Sequence, residues 1–234
     1  MLCQWSGCGR IFGMEISDAV IKSDIVEALS RDSRFSLARI TVRADQGLVV
    51  LSGDAPNLYT IQVAMEVTGF VSGVHGVRSE LSVVNPMKKP DDELIRKNAD
   101  QILRWSASIG DGKVEVHVKS GLLTLDGEVD AYWKRRRAEA LMLDVRGVVA
   151  VVNNIEVVPD LEPQDQVIAE DVKSAIERCS CVSRDTIVVD VHHGLVTLSG
   201  QVPTLSSKRQ TPCLAEAVLG VKGVIDKLEV CQPA

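Results

Sequence analysis

A run of four cations beside two aromatic residues is the part of the sequence whose composition most strongly suggests binding chemistry. Its residues are Tyr132, Trp133, Lys134, Arg135, Arg136 and Arg137. Guanidinium and ammonium groups attract anions, and tryptophan is enriched both at membrane interfaces and at the centres of protein interfaces. We therefore predict that this stretch, called the basic stretch below, binds either an anionic phospholipid surface or an acidic protein partner.

The periodicity of the basic stretch indicates which of its side chains face solvent. The stretch begins a predicted helix, and at 100° per residue Trp133, Arg136 and Arg137 lie opposite the apolar positions that follow. We therefore expect these three side chains to share an exposed face. A third interpretation stays open, in which the stretch is an ordinary charged helix face and Trp133 lies against a neighbouring part of the chain.

Residue types used in catalysis or metal binding do not form a recognisable pattern. No serine or cysteine stands in a nucleophile motif, and no pair of carboxylates recurs. His192 and His193 occupy a predicted turn, and His117 alternates with apolar residues and is predicted to face solvent. We expect no enzyme activity, no cofactor and no bound metal.

Charge and hydropathy exclude several classes of partner. The formal net charge is −6, whereas nucleic-acid binding requires a basic surface. No apolar run approaches the roughly 20 residues of a membrane-spanning helix. The first residues lack the charged and apolar regions of a signal peptide, so we expect a disordered tail over residues 1–15 and a cytoplasmic location.

A seven-residue motif occurs three times and defines the organisation of the chain. Its copies are Gly47–Gly53, Gly121–Gly127 and Gly194–Gly200, separated by 74 and then 73 positions. Repetition at a nearly constant period indicates tandem copies of one unit. Each unit, at roughly 70 residues, is close to the size at which a single core is only marginally stable. We therefore expect contacts between the units to contribute to stability.

Each unit reads as helix, strand, strand, helix, strand, because helical periodicity and period-two alternation follow one another in that order. We predict an α+β fold of three tandem αββαβ modules, each with two helices packed on a three-stranded mixed sheet. Module 1 covers residues 16–85, module 2 covers 91–158 and module 3 covers 164–232. Proline-containing linkers join them as short, semi-rigid spacers.

Aspartate and proline lead to specific expectations about the helices. Asp18, Asp92 and Asp165 stand near the start of each first helix, where a carboxylate caps the helix or faces its positive end. Pro212 falls within the second helix of module 3. Because proline removes a hydrogen-bond donor inside a helix but is tolerated at its first position, we expect this helix to begin near Pro212 or to kink there.

The cysteines do not recur with the repeat, since they are Cys3, Cys8, Cys179, Cys181, Cys213 and Cys231. A disulfide framework would follow the period of the modules. The spacing of Cys179 and Cys181 does not match the common zinc motifs. We therefore expect reduced thiols that pack as small apolar residues, as in a cytoplasmic protein.

Three features together resemble the BON domain (bacterial OsmY and nodulation). They are the glycine-flanked strand motif, the αββαβ order, and the entry to the last strand at Gly73–Val77, Gly147–Val151 and Gly220–Val224. The resemblance covers about residues 16–232. It implies a non-enzymatic module linked to phospholipid surfaces, envelope integrity and osmotic or general stress, in proteins that are often periplasmic.

The resemblance and the basic stretch lead to two expectations about function. The first is a stress-associated peripheral protein that binds anionic phospholipid surfaces through the middle module. The alternative is a protein-interaction or self-assembling scaffold with no lipid ligand, whose partner is another protein or a second copy of the chain.

Overall fold

The chain folds as three repeats of one αββαβ unit. The computed structural model describes residues 16–84, 90–109, 113–161, 163–179 and 187–231, so the tail predicted over 1–15 lies outside the described residues. Within them, ten strands form three separate sheets, and six α-helices accompany the sheets. The prediction of an α+β fold with three tandem αββαβ modules is confirmed.

Module 1 shows the arrangement in its simplest form. Two helices cover one face of a three-stranded sheet, in which the first strand is antiparallel and the third parallel to the central strand. The elements are α1 (Asp18–Arg31), β1 (Arg39–Asp45), β2 (Leu48–Ala55), α2 (Leu58–Gly69) and β3 (Gly76–Val83).

Modules 2 and 3 repeat this order and these strand directions. In module 2 the third strand has two segments, and the elements are α3 (Asp92–Trp105), β4 (Val114–Lys119), β5 (Leu122–Val129), α4 (Tyr132–Met142), β6 (Ala150–Asn153) and β7 (Glu156–Val157). In module 3 they are α5 (Asp165–Glu177), β8 (Ile187–His192), β9 (Leu195–Val202), α6 (Leu205–Glu216) and β10 (Gly223–Val230).

Each module has its own hydrophobic core between the helices and the sheet. The central strand supplies a fully buried leucine at the same position of each motif, at Leu51, Leu125 and Leu198. Because side chains alternate across a strand, the neighbouring residues of these strands point to the opposite face. No helix in the described part of the same module covers that face, so each sheet has one buried side and one outer side.

An aspartate at the start of each first helix holds the hairpin turn of its module. In module 1 the Asp18 carboxylate accepts hydrogen bonds from the backbone N–H groups of Gln46 and Gly47, at 3.0 and 3.1 Å. Asp92 and Asp165 make the same pair of bonds. Both central residues of each turn have positive φ, which leaves their N–H groups without strand partners. The aspartates therefore join helix to hairpin, in addition to facing the positive end of the helix.

The last glycine of the motif has no room for a side chain in modules 1 and 2. Gly127 has φ +134°, and a Cβ added there would overlap the carbonyl oxygen of Lys113, the residue that precedes β4. Gly53 has φ +124° and meets Arg39 in the same way. Only glycine combines this backbone conformation with this close approach.

Helix α6 continues through Pro212, so the expectation that it begins there is wrong. It begins at Leu205, after Thr204, whose side-chain oxygen accepts a hydrogen bond from the Ser207 N–H at 3.0 Å. Thr211 Oγ1 also donates to the Ser207 carbonyl at 2.8 Å. The helix turns before Pro212 are therefore capped at their N-terminus, and they form although Pro212 has no backbone N–H to donate within the helix.

We expect Gly127→Val to destabilise the protein by about 3 kcal/mol, because it combines a strained φ with a steric clash. Thr124→Val, which places the same side chain on the outer face of the same strand, is the matched control and should change stability little. Denaturant unfolding checks both variants. Equal stability of Gly127→Val and the wild type would contradict this account of the motif.

Stability in acid should depend on the aspartate of module 3. Hydrogen bonds from the backbone of Gly194 and then His193 hold the pKa of Asp165 below its ordinary value of 3.8. A lowered pKa means that this carboxylate stabilises the fold above about pH 3.8, and that the contribution is lost as the pH falls through the lowered value.

The free energy of unfolding of Asp165→Asn, measured from pH 2.5 to 5.5, should therefore approach that of the wild type as the pH falls. The control is Asp171→Asn, on the exposed side of the same helix. A constant difference between Asp165→Asn and the wild type over this range would show that the charge of Asp165 has no role.

Candidate functional site

Two cations of the basic stretch, Lys134 and Arg135, form hydrogen bonds within module 2. The stretch begins α4, and Lys134 Nζ donates to Asp130 Oδ2 at 2.8 Å. Arg135 donates through Nη2 to the Asn153 carbonyl at 3.0 Å, and Asn153 Nδ2 donates to the Arg135 carbonyl at the same distance. These bonds fix the start of α4 against Asp130 and the end of β6.

A third cation, Arg136, reaches module 3. Its Nε lies 3.3 Å from Glu216 Oε1 at the end of α6, and its Nη1 lies 3.3 Å from Glu139 on its own helix. Burial alone would lower the pKa of Arg136, but the two carboxylates outweigh it and hold that pKa above the ordinary value. Burial raises the pKa of Glu216, whose side chain is only 16% exposed. The charges therefore form a partly desolvated pair between modules.

The aromatic residue that begins α4 also belongs to this contact. Tyr132 packs against the hydrophobic core of module 3. The first residues of the other two second helices also pack against a different module. Leu58 of α2 packs against the core of module 2, and Leu205 of α6 packs against the core of module 1. Each module therefore inserts the first residue of its second helix into one other module.

Polar groups extend the contact of module 1 with module 2. The Tyr59 N–H donates to the Leu143 carbonyl at 3.1 Å. Asn57, which caps α2 through Oδ1, donates through Nδ2 to Asp144 at 3.0 Å. Both acceptors follow the last turn of α4, so the start of α2 binds the end of α4.

Module 3 makes the corresponding contact with module 1. Arg209 Nη1 donates to the Met65 carbonyl of α2 at 2.7 Å, and burial lowers the pKa of Arg209. A Cβ at Gly69, the last residue of α2, would lie 3.0 Å from Arg209 Nη1 and 3.3 Å from Leu205 Cδ2. The small residue at the end of α2 therefore lets α6 approach closely.

The three contacts form a cycle. The second helix of module 1 contacts module 2, that of module 2 contacts module 3, and that of module 3 contacts module 1. Contacts between different surfaces of equivalent units form a closed ring when their rotation completes a circle. Here the three units belong to one chain. The second helices α2, α4 and α6 therefore hold the modules in a ring, and the basic stretch supplies one of its three joints.

Part of the basic stretch stays at the surface. Trp133 is 40% exposed, with Lys134 Nζ 5.9 Å from its ring centre. Arg137 is exposed, and within the described part of the chain it has neither an ionic nor a hydrogen-bonded partner. The predicted exposure of Trp133, Arg136 and Arg137 is therefore correct. Arg136 in addition forms an ion pair with Glu216 of module 3.

Sequence reasoning expected contacts between the units, but it did not identify the residues that form the three joints. The repeat places Leu58, Tyr132 and Leu205 at one position, and this shared register was the available signal. Arg136 and Arg209 also share a position, whereas module 1 has Gln62 there.

The other candidate groups were histidines, cysteines and carboxylates, and their arrangement is known for the described ranges of the chain. The described residues contain no cluster of three or more histidine, cysteine, aspartate or glutamate side chains that could hold a metal ion. His117 is exposed, as predicted, and its Nε2 lies 3.8 Å from Glu115. No helix within the described ranges has the length and apolarity needed to cross a membrane.

The described cysteines differ from the expectation of reduced thiols at one position. Cys213 and Cys231 are free and exposed, whereas Cys179 is disulfide-bonded. The expectation of reduced thiols is therefore correct for Cys213 and Cys231 and wrong for Cys179. The expectation that the thiols pack as small apolar residues is wrong for Cys213 and Cys231, because both are exposed. Cys3, Cys8 and Cys181 lie outside the described residues.

The pair between modules 2 and 3 can be tested by charge reversal. Arg136→Glu and Glu216→Arg should each destabilise the protein, because each places like charges together, and the double variant should recover a coupling energy of about 0.5–1 kcal/mol. Chemical unfolding of the four proteins measures this coupling. Arg137→Glu is the control and should cost less than about 0.5 kcal/mol. A coupling energy of zero would contradict the joint.

Comparisons with solved structures find distant similarity. The C-terminal domain of CdsD, a structural protein of the type III secretion system of Chlamydia trachomatis, is 14% identical, with a TM-score of 0.26 over 93% of this chain and 100% of that chain. The periplasmic domain of the type III secretion inner membrane protein PrgH from S. typhimurium (fragment 170–362) is 13% identical, with a TM-score of 0.22 over 88% of this chain and 100% of that one. Scores this low support no conclusion about function.

Family membership follows from the sequence of the modules themselves. A comparison with curated proteins finds no match. The model of the BON domain, in contrast, matches three times, at residues 17–85, 91–159 and 164–232. These matches coincide with the three αββαβ repeats and together cover most of the chain. The chain therefore belongs to the BON domain family, as three BON domains in tandem.

Proposed function

We propose that this protein is a non-catalytic interaction scaffold, in which the second helices hold three BON domains in a ring and the outer surfaces bind protein. The observation that most supports the proposal is the use of the basic stretch. Arg136 binds Glu216 of another module at 3.3 Å, and Tyr132 packs against the core of that module. Residues of the kind expected at a lipid surface here make a contact between two modules of the same chain.

The charge balance supports the same proposal. Lys134 and Arg136 are paired with carboxylates, and Arg135 is bonded to a backbone carbonyl. An anionic bilayer would have to compete with these partners for the same cations. The net charge of −6 also opposes approach to a negatively charged surface over distances of about one Debye length.

Binding of anionic phospholipid, with the role in osmotic or general stress that the family resemblance implies, is the second candidate function. Two observations favour it: Trp133 is 40% exposed, and the neighbouring Arg137 is exposed. An interfacial tryptophan and a cation together form a small membrane-contacting pair. This pair contributes one unpaired cation rather than the four that the sequence suggests.

Co-sedimentation with vesicles separates the two functions. The scaffold proposal predicts that the purified chain does not bind vesicles of phosphatidylserine and phosphatidylcholine at about 0.1 M salt, where charges are screened beyond about 10 Å. The variant Trp133→Ala/Arg137→Glu should then behave like the wild type. Its matched control is Trp105→Ala/Arg104→Glu, since Trp105 is 77% exposed beside another exposed arginine.

Binding of the wild type that is lost in the Trp133 and Arg137 variant, but kept in the Trp105 and Arg104 control, would overturn the scaffold proposal in favour of lipid binding. Equal loss in both variants would also contradict it, by showing attraction to the bilayer that depends on general surface charge and aromatic residues. Absence of vesicle binding supports it.

A further inference from the structure

Module 3 takes part in two of the three joints of the ring. In the joint with module 2, Arg136 Nε lies 3.3 Å from Glu216 Oε1, and Tyr132 packs against the core of module 3. In the joint with module 1, Arg209 donates to a carbonyl of α2 at 2.7 Å, and Leu205 packs against the core of module 1. Because module 3 has a hydrophobic core of its own, it can leave the ring as one unit.

The surfaces that this separation uncovers fit a second module 3 better than they fit module 1 or module 2. Arg136 needs a carboxylate at the position of Glu216, where module 1 has Gly69 and module 2 has Leu143. The end of α2 leaves room for α6, since a Cβ at Gly69 would lie 3.0 Å from Arg209 Nη1. The partner that matches both surfaces is therefore module 3 of another copy of this chain.

The linker between modules 2 and 3, residues 159–163, is suited to a different course. Pro163 lies against module 3, because a Cβ at Gly220 would be 2.5 Å from its Cγ, and Pro159 at the other end is buried. Leu161 is 65% exposed, so a new course of the linker loses little packing at this residue. Prolines favour an extended backbone, which suits a linker that crosses from one ring to another.

We infer that two copies of this chain exchange module 3, so that each ring contains modules 1 and 2 of one copy and module 3 of the other. The exchange keeps every joint, because it replaces a module by an identical one, and it changes only the course of the linker. The inference goes beyond the proposed function, since it concerns the joints and not the outer surfaces.

Concentration decides which of the two forms predominates. Within one chain, the linker holds module 3 near its own ring at an effective concentration of about 1 mM. The monomer therefore predominates in dilute solution. The exchanged dimer forms when concentrated chains fold together, and it persists after dilution because its return to monomers requires two joints of each ring to open.

Charge reversal across the joint between modules 2 and 3 tests the exchange. In a monomer, Arg136→Glu places two carboxylates together, and Glu216→Arg places two guanidinium groups together. In an exchanged dimer of the two variant chains, the reversed residues attract each other in one ring and the original pair forms in the other. A mixture refolded at about 300 µM should therefore give about tenfold more heterodimer than both homodimers together, measured by native mass spectrometry.

The neighbouring cation supplies the matched control. Arg137 is exposed and takes no part in the joint, so a mixture of Arg137→Glu with Glu216→Arg should show no preference for the heterodimer. A mixture of Arg136→Glu with Glu216→Arg that gives no dimer, or that gives the heterodimer in the statistical ratio, would overturn the inference.

The wild type supplies a second test that does not depend on the folding of either variant. The fraction of chains in the dimer should be at least tenfold larger after refolding at about 300 µM than after refolding at about 10 µM. A wild type that is entirely monomeric after refolding at the higher concentration would also overturn the inference. Neither result depends on vesicle binding, so the exchange and the scaffold function fail in separate experiments.

Discussion

The insertion of one helix start into the next module is the interaction on which the rest of the structure depends. Leu58, Tyr132 and Leu205 each begin a second helix and each pack against the core of another module. Three such contacts in one direction close a ring, and a closed ring leaves none of its joining surfaces unused. The positions of the outer sheet faces, and the environment of the basic stretch, follow from this closure.

Within a module, order depends on short-range bonds that the repeat preserves. The aspartate at the start of the first helix binds the hairpin turn in all three modules. A unit of about 70 residues buries only a modest fraction of its surface, so contacts with two neighbours supply burial that one unit cannot provide alone. The ring therefore links the stability of each module to that of the others.

The fold could be predicted from the sequence because its signals are local and repeated. Leu51, Leu125 and Leu198 fall at one position of a glycine-flanked motif, and all three are buried. The joints could not be predicted in this way, since an apolar residue at a helix start has the same pattern whether it packs in its own module or in another. The sequence correctly predicted that Arg136 lies on the exposed face of α4. It could not predict the partner Glu216, because that residue is distant in the sequence and the two meet only through the relative placement of modules 2 and 3.

The closing contact between modules 3 and 1 tests this account most directly. The Leu205 Cδ2 methyl lies 3.3 Å from the position of a Cβ at Gly69, so the methyl and the Gly69 α-protons should give an NOE. Leu195 Cδ1 lies 2.8 Å from the corresponding position at Gly223 within module 3 and serves as the internal standard. In a dilute sample, the ring predicts both cross-peaks. A Leu195–Gly223 cross-peak without the Leu205–Gly69 cross-peak would contradict it.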